Sequence, residues 1–287
     1  MSVESVKMIK VGALNVGYIE QGDGPLVLCL HGYPDTAYSW TQTLNFLAQK
    51  GYRAVAPFLR GYHPTDIPAD GDYTVKQLAK DALGLIEALG EDRAIIIGHD
   101  WGALTAYSAA AIDSNKVEKL VTLDMIHPAA LSVTPNTVWK GRHIIAYQFK
   151  SAAIRRVRRD EFNHIDEIYR RWSPKWNFEG ETKDIKRAFA EPGRVEAALG
   201  YYWAFFKEGI GRDEQSKKGQ EIALAKTTVP TLTIFGDWGA LSDQQMAQSK
   251  KAFTGPYEYI QLTGVGHFLH REAPEKFFNH LSAFLDD

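Results

Sequence analysis

Short apolar runs alternate with helical patterns along the first part of the chain. Runs that have the length of buried strands fall at 25–30, 52–58, 95–97 and 117–124. Segments 38–50 and 75–89 carry apolar residues three and four positions apart, which predicts amphipathic helices. Segment 6–20 alternates weakly and predicts an antiparallel strand pair at a sheet edge. This order predicts an α/β fold whose mostly parallel central sheet is covered by helices on both faces.

The pattern changes after residue 128. From 129 to 226 the sequence is mostly helical, with many aromatic and basic residues and breaks at Pro135, Pro174 and Gly180. The strand–helix alternation returns with the apolar run 229–236 and ends in a helix over 274–284. We therefore predict a first core segment, 1–128, a helical insertion, 129–226, and a second core segment, 227–287.

One strand–turn–helix stretch carries the candidate chemistry. Gly98 and Gly102 lie two residues on either side of Asp100, directly after the run 95–97. This is the spacing of a nucleophile elbow, a tight turn that presents one side chain above the sheet. Glycines are required there because the strand and helix backbones pass close together. The alternative, that Asp100 only caps the following helix, does not account for both glycines.

An aspartate at this position restricts the reaction. A carboxylate is ionised at pH 7 and needs no base to act as a nucleophile. Attack on an ester or amide carbonyl would form a reactive anhydride, whereas attack on a saturated carbon forms an alkyl ester. A halide or the strained oxygen of an epoxide is a sufficient leaving group. Water must then cleave the ester with the help of a base and an oxyanion site.

The base and the oxyanion site are predicted from their order along the chain. His267 is the expected base because the histidine comes last in folds of this kind, and His270 is the second choice. The oxyanion donors are expected to be the backbone N–H groups of Trp101, at a helix N-terminus, and Tyr33. His31 is expected to fix the loop that carries Tyr33. The remaining histidines are interpreted as packing or surface residues.

Composition excludes several classes of function. The net charge of −2 gives no reason to expect nucleic acid as a partner. The single cysteine, Cys29, excludes an internal disulfide and a cysteine-based metal site, and it is interpreted as a core thiol. No signal peptide or membrane span is recognised, so a cytoplasmic protein without a membrane partner is expected. The basic run 155–159 is interpreted as a solvated helix face paired with Asp160 and Glu161, with a polyanion or partner site as the alternative.

Four motifs together resemble the α/β-hydrolase superfamily, in its branch of epoxide hydrolases and haloalkane dehalogenases. They are 31–34 (HGYP), 59–62 (LRGY), 98–102 (GHDWG) and 266–267 (GH), and the resemblance covers nearly the whole chain. It implies that 129–226 is a helical cap, that Asp100 is the nucleophile and that His267 is the base. No metal or organic cofactor is implied, since water, a carboxylate and an imidazole suffice.

The resemblance leaves two positions for the acid that orients His267. Most members carry it in a G-x-x-D pattern after the strand 231–235, where this chain has Gly239 at the Asp position. Other members carry it after the preceding core strand, where Asp124 stands. Asp124 is therefore the expected acid, with Asp237 and then Asp243 as alternatives.

The choice between epoxide and halide depends on residues outside the elbow. A departing halide needs N–H donors, and in dehalogenases one comes from an Asn at the position of Tyr33. A ring-opened epoxide needs a proton, which a tyrosine hydroxyl can supply. The resemblance implies a pair of cap tyrosines, for which Tyr202 and Tyr147 are the candidates and Tyr169 and Tyr201 are substitutes.

The sequence thus predicts an epoxide hydrolase that converts a small apolar epoxide and water to a vicinal diol. The alternatives are a haloalkane or haloacid dehalogenase with the same triad and a non-catalytic small-molecule receptor. The oligomeric state is left open between monomer and homodimer. The predicted pocket contains four residues: His31, Pro34, Trp101 and Tyr201.

Overall fold

The central element of the fold is a single eight-stranded sheet. The computed structural model describes residues 5–131, 135–238 and 243–286, except for the side chains of Asn136 and Asp243. The strands are β1 (Lys7–Val11), β2 (Leu14–Gln21), β3 (Leu26–Leu30), β4 (Arg53–Pro57), β5 (Ala94–His99), β6 (Val117–Leu123), β7 (Thr231–Gly236) and β8 (Tyr257–Leu262).

The strand order in the sheet is β1-β2-β4-β3-β5-β6-β7-β8. β2 pairs antiparallel with both β1 and β4, whereas all the later pairs are parallel. The mostly parallel sheet and the antiparallel edge pair are therefore confirmed. Because parallel strands end at the same edge, the carboxyl ends of β3, β5, β6 and β7 come together, and the candidate site is built there.

Helices cover the sheet on both faces. Every residue of β3, β5 and β7 is buried, and successive side chains of a strand point to opposite faces. The core helices are α1 (Thr41–Gln49), α2 (Val75–Ala88), α3 (Trp101–Ile112), α10 (Asp243–Ser249), α11 (Leu269–Glu272) and α12 (Pro274–Asp286). Among them α2 packs against α3 and α1 packs against α12.

The segment between β6 and β7 is helical, as predicted. Its helices are α4 (Pro135–Lys140), α5 (Arg142–Ala146), α6 (Lys150–Trp172), α7 (Lys183–Ala190), α8 (Arg194–Ile210) and α9 (Glu214–Leu224). α6, α7 and α8 pack against one another, and α9 packs against α2 and α3 of the core. Residues 159–162 interrupt α6 with non-helical backbone angles. These helices fall within 129–226, and the proposed domain boundaries stay a prediction.

The single cysteine is part of the apolar core. Cys29 is fully buried in β3, and burial raises the pKa of its thiol, which fits its interpretation as a packing residue. Within the three described ranges, no helix is both long enough and apolar enough to cross a membrane.

The close approach at Gly102 gives a stability prediction. A Cβ at this position would lie 2.0 Å from the carbonyl oxygen of Leu30, which belongs to the backbone and cannot move aside cheaply. We expect Gly102→Ala to lower the free energy of unfolding by about 1–3 kcal/mol or more, as overpacking does. Chemical denaturation followed by circular dichroism measures this change.

Gly209 provides the matched control. It lies near the end of α8, is exposed, and a Cβ there would meet nothing within 4 Å. Gly209→Ala should leave the free energy of unfolding unchanged or raise it by up to about 1 kcal/mol. Equal stability of Gly102→Ala and the wild type would contradict the prediction.

Candidate active site

Asp100 lies in the turn between β5 and α3, with φ 53° and ψ −115°. A positive φ at a residue other than glycine costs about 1–2 kcal/mol, so the turn is strained. A Cβ at Gly98 would lie 2.3 Å from the carbonyl oxygen of Gly102, so the two backbones meet as the sequence predicts. The Asp100 side chain makes no capping hydrogen bond to α3. The geometry is therefore that of a nucleophile elbow and not of a simple N-cap.

The loop after β3 holds one oxygen of Asp100. The N–H of Tyr33 donates to Oδ1 at 2.9 Å, and the backbone N–H of Trp101, at the start of α3, is close enough to lower the pKa of this carboxylate. A Cβ at Gly32 would lie 2.4 Å from the Cβ of Asp100, so only glycine allows the loop to come so near. The two predicted oxyanion donors thus converge on one carboxylate.

His31 ties this loop to the next one. Its Nδ1 pairs with the carbonyl oxygen of Gly32 at 2.9 Å, and its Nε2 accepts from the N–H of Leu59 at 3.1 Å. Burial lowers the pKa of His31 to about 4, so the ring is neutral. Both ring nitrogens are used within the protein, so His31 supports the loop and presents no polar atom to a pocket.

His267 joins two carboxylates. Its Nδ1 donates to Oδ2 of Asp124 at 2.5 Å, and its Nε2 lies 3.7 Å from Oδ2 of Asp100. Asp124 directly follows β6 with a φ of 49°. Because a carboxylate only accepts, the Nδ1 of His267 carries the proton, and the lone pair of the neutral ring faces Asp100.

The other candidates for base and acid lie elsewhere. Asp237 is exposed and accepts from the N–H of Gly264 at 2.9 Å. The side chain of Asp243 is outside the described residues. His270 is buried and stacks on Trp40, with a distance of 4.3 Å between ring centroids. The geometry therefore favours Asp124 and His267 over these alternatives.

Burial and charge act in opposite directions on the central pair. Burial raises the pKa of Asp100 above its usual range, against the opposing effects of His267 and the two backbone N–H groups. Burial by itself would lower the pKa of His267, but the hydrogen bond and charge of Asp124, with the charge of Asp100, raise it above its ordinary value. The site thus stabilises an imidazolium ion between two carboxylates.

Two buried tyrosines of the cap pack together on the side of the site that carries Asp100. Tyr202 lies in α8 and Tyr147 directly follows α5, with 5.0 Å between their ring centroids. The Tyr202 ring also lies edge-on to Tyr33 at 5.2 Å and to Trp101 at 5.1 Å. Burial, and then the charge of Asp100, raise the pKa of Tyr202 well above its ordinary value. Tyr202 and Tyr147 therefore form one aromatic wall, in which the hydroxyl of Tyr202 is within the influence of the Asp100 charge and that of Tyr147 lies 3.4 Å from the hydroxyl of Tyr33.

The substitute tyrosines use their hydroxyls in other contacts. Tyr201 donates to the carbonyl oxygen of Arg60 at 2.8 Å. Tyr169 donates to the carbonyl oxygen of Pro34 at 3.3 Å and accepts from Arg271 at 2.9 Å. These bonds hold the cap to the core, so Tyr201 and Tyr169 connect the two parts. Pro34 itself is buried in this contact.

Two further residues were missed by sequence reasoning. Tyr62 is buried, and its hydroxyl has no hydrogen-bond partner within the described part of the chain. Burial, and then the charge of Asp100, raise the pKa of this hydroxyl. His164 was assigned to packing, yet its Nε2 lies 2.8 Å from the hydroxyl oxygen of Tyr147. The motif 59–62 was a signal for Tyr62, whereas nothing near His164 in the sequence indicated its partner.

One cluster has the residue types of a metal site. Ligand atoms of Asp35, His99 and His270 all lie within 4.8 Å of one another. However, both carboxylate oxygens of Asp35 accept from Arg271 at 3.2 Å. Because a guanidinium cation already neutralises this carboxylate, the cluster gives no metal assignment.

Comparison with known proteins identifies the family. The family model described as alpha/beta hydrolase fold matches residues 25–274. The chain belongs to the α/β-hydrolase fold family. The fold class predicted from the four motifs is thereby confirmed.

Relatives within the α/β-hydrolase family include proteins named epoxide hydrolases. The epoxide hydrolase of Caballeronia sordidicola is 40% identical over 312 residues, which cover 96% of this chain and 92% of that protein. The AB hydrolase superfamily protein YfhM of Bacillus subtilis is 29% identical, with 91% and 90% covered. The epoxide hydrolase from an endophytic Streptomyces has a TM-score of 0.85 at 25% identity, with 100% and 96% covered. The predicted resemblance to an enzyme family, the epoxide hydrolases, is confirmed.

The hydrogen bond between Asp124 and His267 gives a titration prediction. Asp124 makes the main contribution that stabilises the protonated form of His267, so removing its charge destabilises that form. We expect Asp124→Asn to lower the pKa of His267 by about 1 to 3 pH units. Titration of histidine-labelled protein followed by NMR measures this pKa, with His267→Gln to assign the signal.

Asp237→Asn is the matched control for this titration. Asp237 is bonded to Gly264 and not to His267, so the same substitution should leave the pKa of His267 unchanged. If Asp237→Asn lowered the pKa of His267 more than Asp124→Asn did, the acid that orients His267 would be Asp237, after β7, and the choice of Asp124 would be wrong.

Proposed function

We propose that this α/β-hydrolase opens epoxides to vicinal diols through an alkyl ester on Asp100. The observation that carries the proposal is the contact of His267 with both Asp100 and Asp124, together with the buried rings of Tyr202 and Tyr147, of which Tyr202 packs against Trp101 next to Asp100. Relatives named epoxide hydrolases that match over nearly the whole chain support it.

The first step is attack on an epoxide carbon. Oδ1 of Asp100 is held by the N–H of Tyr33, so Oδ2 is the oxygen free to attack. The new bond joins Oδ2 to the carbon while the carbon–oxygen bond of the ring breaks. Oδ1 then becomes the carbonyl oxygen of the ester and stays beside its N–H donors.

The tyrosines protonate the leaving oxygen. Burial raises the pKa of Tyr147 to about 12 and raises that of Tyr202 well above its ordinary value, so both hydroxyls keep their protons at neutral pH. An alkoxide is a stronger base than a phenolate and takes one of these protons. The strained ring therefore opens without forming a free alkoxide.

His267 then activates water. Its Nε2 takes a proton as the water attacks Cγ of Asp100, and Asp124 stabilises the resulting imidazolium. The negative charge that develops on Oδ1 is stabilised by the N–H groups of Tyr33 and Trp101. Collapse breaks the bond between Cγ and the ester oxygen, and this oxygen takes the second proton of the water to complete the diol. The proton on His267 then returns to the tyrosine, which restores the starting state.

The substrate class follows from the wall of the site. Aromatic rings surround the carboxylate, so a small apolar epoxide fits better than a charged one. Water is the second substrate, and the reaction requires no cofactor. The cytoplasmic location and the choice between monomer and homodimer stay predictions.

One observation favours the dehalogenase alternative. The indole Nε1 of Trp101 is buried and has no hydrogen-bond partner among the described residues. An N–H group of this kind beside Asp100 is able to bind a departing halide. Tyr33 stands where dehalogenases resembling this chain have the second donor, an Asn, so we place this function second.

A trapped ester tests both functions. We expect His267→Gln to form the ester but to hydrolyse it poorly, because the base is lost. Intact-mass spectrometry after incubation with styrene oxide should show an adduct, and the double variant Asp100→Asn, His267→Gln should show none. An adduct with 1-bromobutane alone, with bromide release by the wild type, would support the dehalogenase. No adduct with a broad panel of either class would favour a receptor.

Neighbouring tyrosines test the proton donor. Tyr202→Phe should slow the opening of styrene oxide by about 10²-fold or more, the lower range for losing a general acid. Tyr201→Phe removes the adjacent hydroxyl, which is bonded to Arg60, and should change stability more than kcat. Stopped-flow single turnovers measure both, and equal rates for Tyr202→Phe and the wild type would remove Tyr202 from the mechanism.

A further inference from the structure

Three arginines of the basic run, Arg155, Arg156 and Arg159, line a cleft of about 470 Å³ that is formed by residues of α6. Arg159 pairs with Asp160 as predicted, whereas Arg158 pairs with Glu196 and Arg156 with Glu167. His164 also lines this cleft, although its side chain is almost fully buried. The basic run is therefore not only a solvated helix face, because one of its arginines contacts the buried His164.

His164 connects the cleft to the candidate acid. Its Nε2 is 2.8 Å from the hydroxyl oxygen of Tyr147. Its Nδ1 is 3.2 Å from Nε of Arg156 and 3.1 Å from a carboxylate oxygen of Glu167. Arg156 and Glu167 are about half exposed, so the solvent-facing pair contacts one nitrogen and Tyr147 contacts the other.

The two contacts at Nδ1 require opposite forms of the neutral ring. Arginine only donates, so the bond from Arg156 requires a lone pair on Nδ1 and therefore a proton on Nε2. A carboxylate only accepts, so the bond to Glu167 requires the proton on Nδ1 and leaves a lone pair on Nε2. Burial lowers the pKa of His164, so the neutral forms are the relevant ones at pH 7.

The same carboxylate oxygen of Glu167 also accepts from Nη2 of Arg156 at 3.4 Å, so its charge is shared with the guanidinium. We propose that the bond from Arg156 therefore prevails and holds His164 in the form protonated at Nε2, and that this form prepares Tyr147 to give its proton to the opening epoxide. The inference rests on the proposed function, in which Tyr147 is one of the acids. His164 is then a positioning residue, since it acts through Tyr147 and does not touch the substrate.

The form protonated at Nε2 favours proton transfer in two ways. The Nε2–H donates to the hydroxyl oxygen of Tyr147, so the hydroxyl proton points away from His164. The hydroxyl oxygen of Tyr33, at 3.4 Å, is the other contact of this hydroxyl among the described residues, and the epoxide oxygen would replace it as acceptor. The same bond stabilises the phenolate as the O–H bond of Tyr147 breaks and the new O–H bond of the alcohol forms. In the opposite form Nε2 accepts the Tyr147 proton, and that bond must be lost before ring opening.

Arg156 and Glu167 therefore have opposite predicted effects. In Arg156→Gln, Glu167 alone contacts Nδ1 and favours the proton there. We expect kcat for styrene oxide opening to fall about tenfold, which is a rise of ~1.4 kcal/mol in the activation free energy. Glu167→Gln removes the carboxylate, and kcat should equal or exceed the wild-type value. KM should change little in either variant. Arg155→Gln is the control, because Arg155 lines the same cleft and no described bond joins it to His164.

The ring form can be measured without a substrate. In protein labelled at the histidine nitrogens, the ¹⁵N shifts of His164 should indicate a proton on Nε2 in the wild type and in Arg155→Gln. They should move towards a proton on Nδ1 in Arg156→Gln. His164→Gln keeps an N–H donor towards Tyr147 and should retain more activity than His164→Ala.

The outcomes separate this inference from the proposed function. Wild-type turnover with equal kcat in Arg156→Gln, Glu167→Gln and Arg155→Gln would overturn the inference alone. A proton on Nδ1 in the wild type would also overturn it. Absence of epoxide turnover by the wild type would overturn both proposals. A lower kcat in Arg156→Gln and an equal or higher kcat in Glu167→Gln, together with the expected ¹⁵N shifts of His164, would support the inference.

Discussion

The close packing of three backbone segments around Asp100 is the constraint on which the site depends. The β3 loop, the end of β5 and the start of α3 approach so nearly that a Cβ at Gly32, Gly98 or Gly102 would meet another residue within 2.4 Å. This packing holds Asp100 at a positive φ and fixes one of its oxygens on the N–H of Tyr33. In the proposed mechanism, a carboxylate held in this way has one oxygen positioned for charge stabilisation and one left for attack.

The rest of the chemistry is assembled on neighbouring strand ends. Asp124 follows β6, the strand that pairs with β5, and His267 lies in the loop after β8. Parallel pairing brings these ends to one edge of the sheet, and the 2.5 Å bond between Asp124 and His267 spans it. Asp124 and His267 are 143 positions apart along the chain, and the sheet brings them into contact because their strands end at the same edge.

The cap decides which hydroxyls are available. Tyr201 and Tyr202 are adjacent in α8, and successive residues of a helix point about 100° apart, so the two side chains have different neighbours. Tyr201 is bonded to the core through Arg60, whereas Tyr202 faces Trp101 and Asp100. Tyr147 is bonded to His164, and through it to the charged pair in the outer cleft. The cap thus contributes two buried tyrosine hydroxyls as well as an apolar wall.

The sequence by itself determined the α/β fold, the insertion of helices after β6, the elbow and the position of His267. These features leave local marks: the period of apolar residues, the glycines that a close backbone approach requires, and the order of residues along the chain. Only the tertiary structure shows that Asp124 and not Asp237 contacts His267, gives Tyr202 and Tyr201 different neighbours, and reveals the contacts of Tyr62 and His164. Those choices depend on which side chains meet across strands and helices, and hydrogen bonds between distant segments leave no periodic pattern in the sequence.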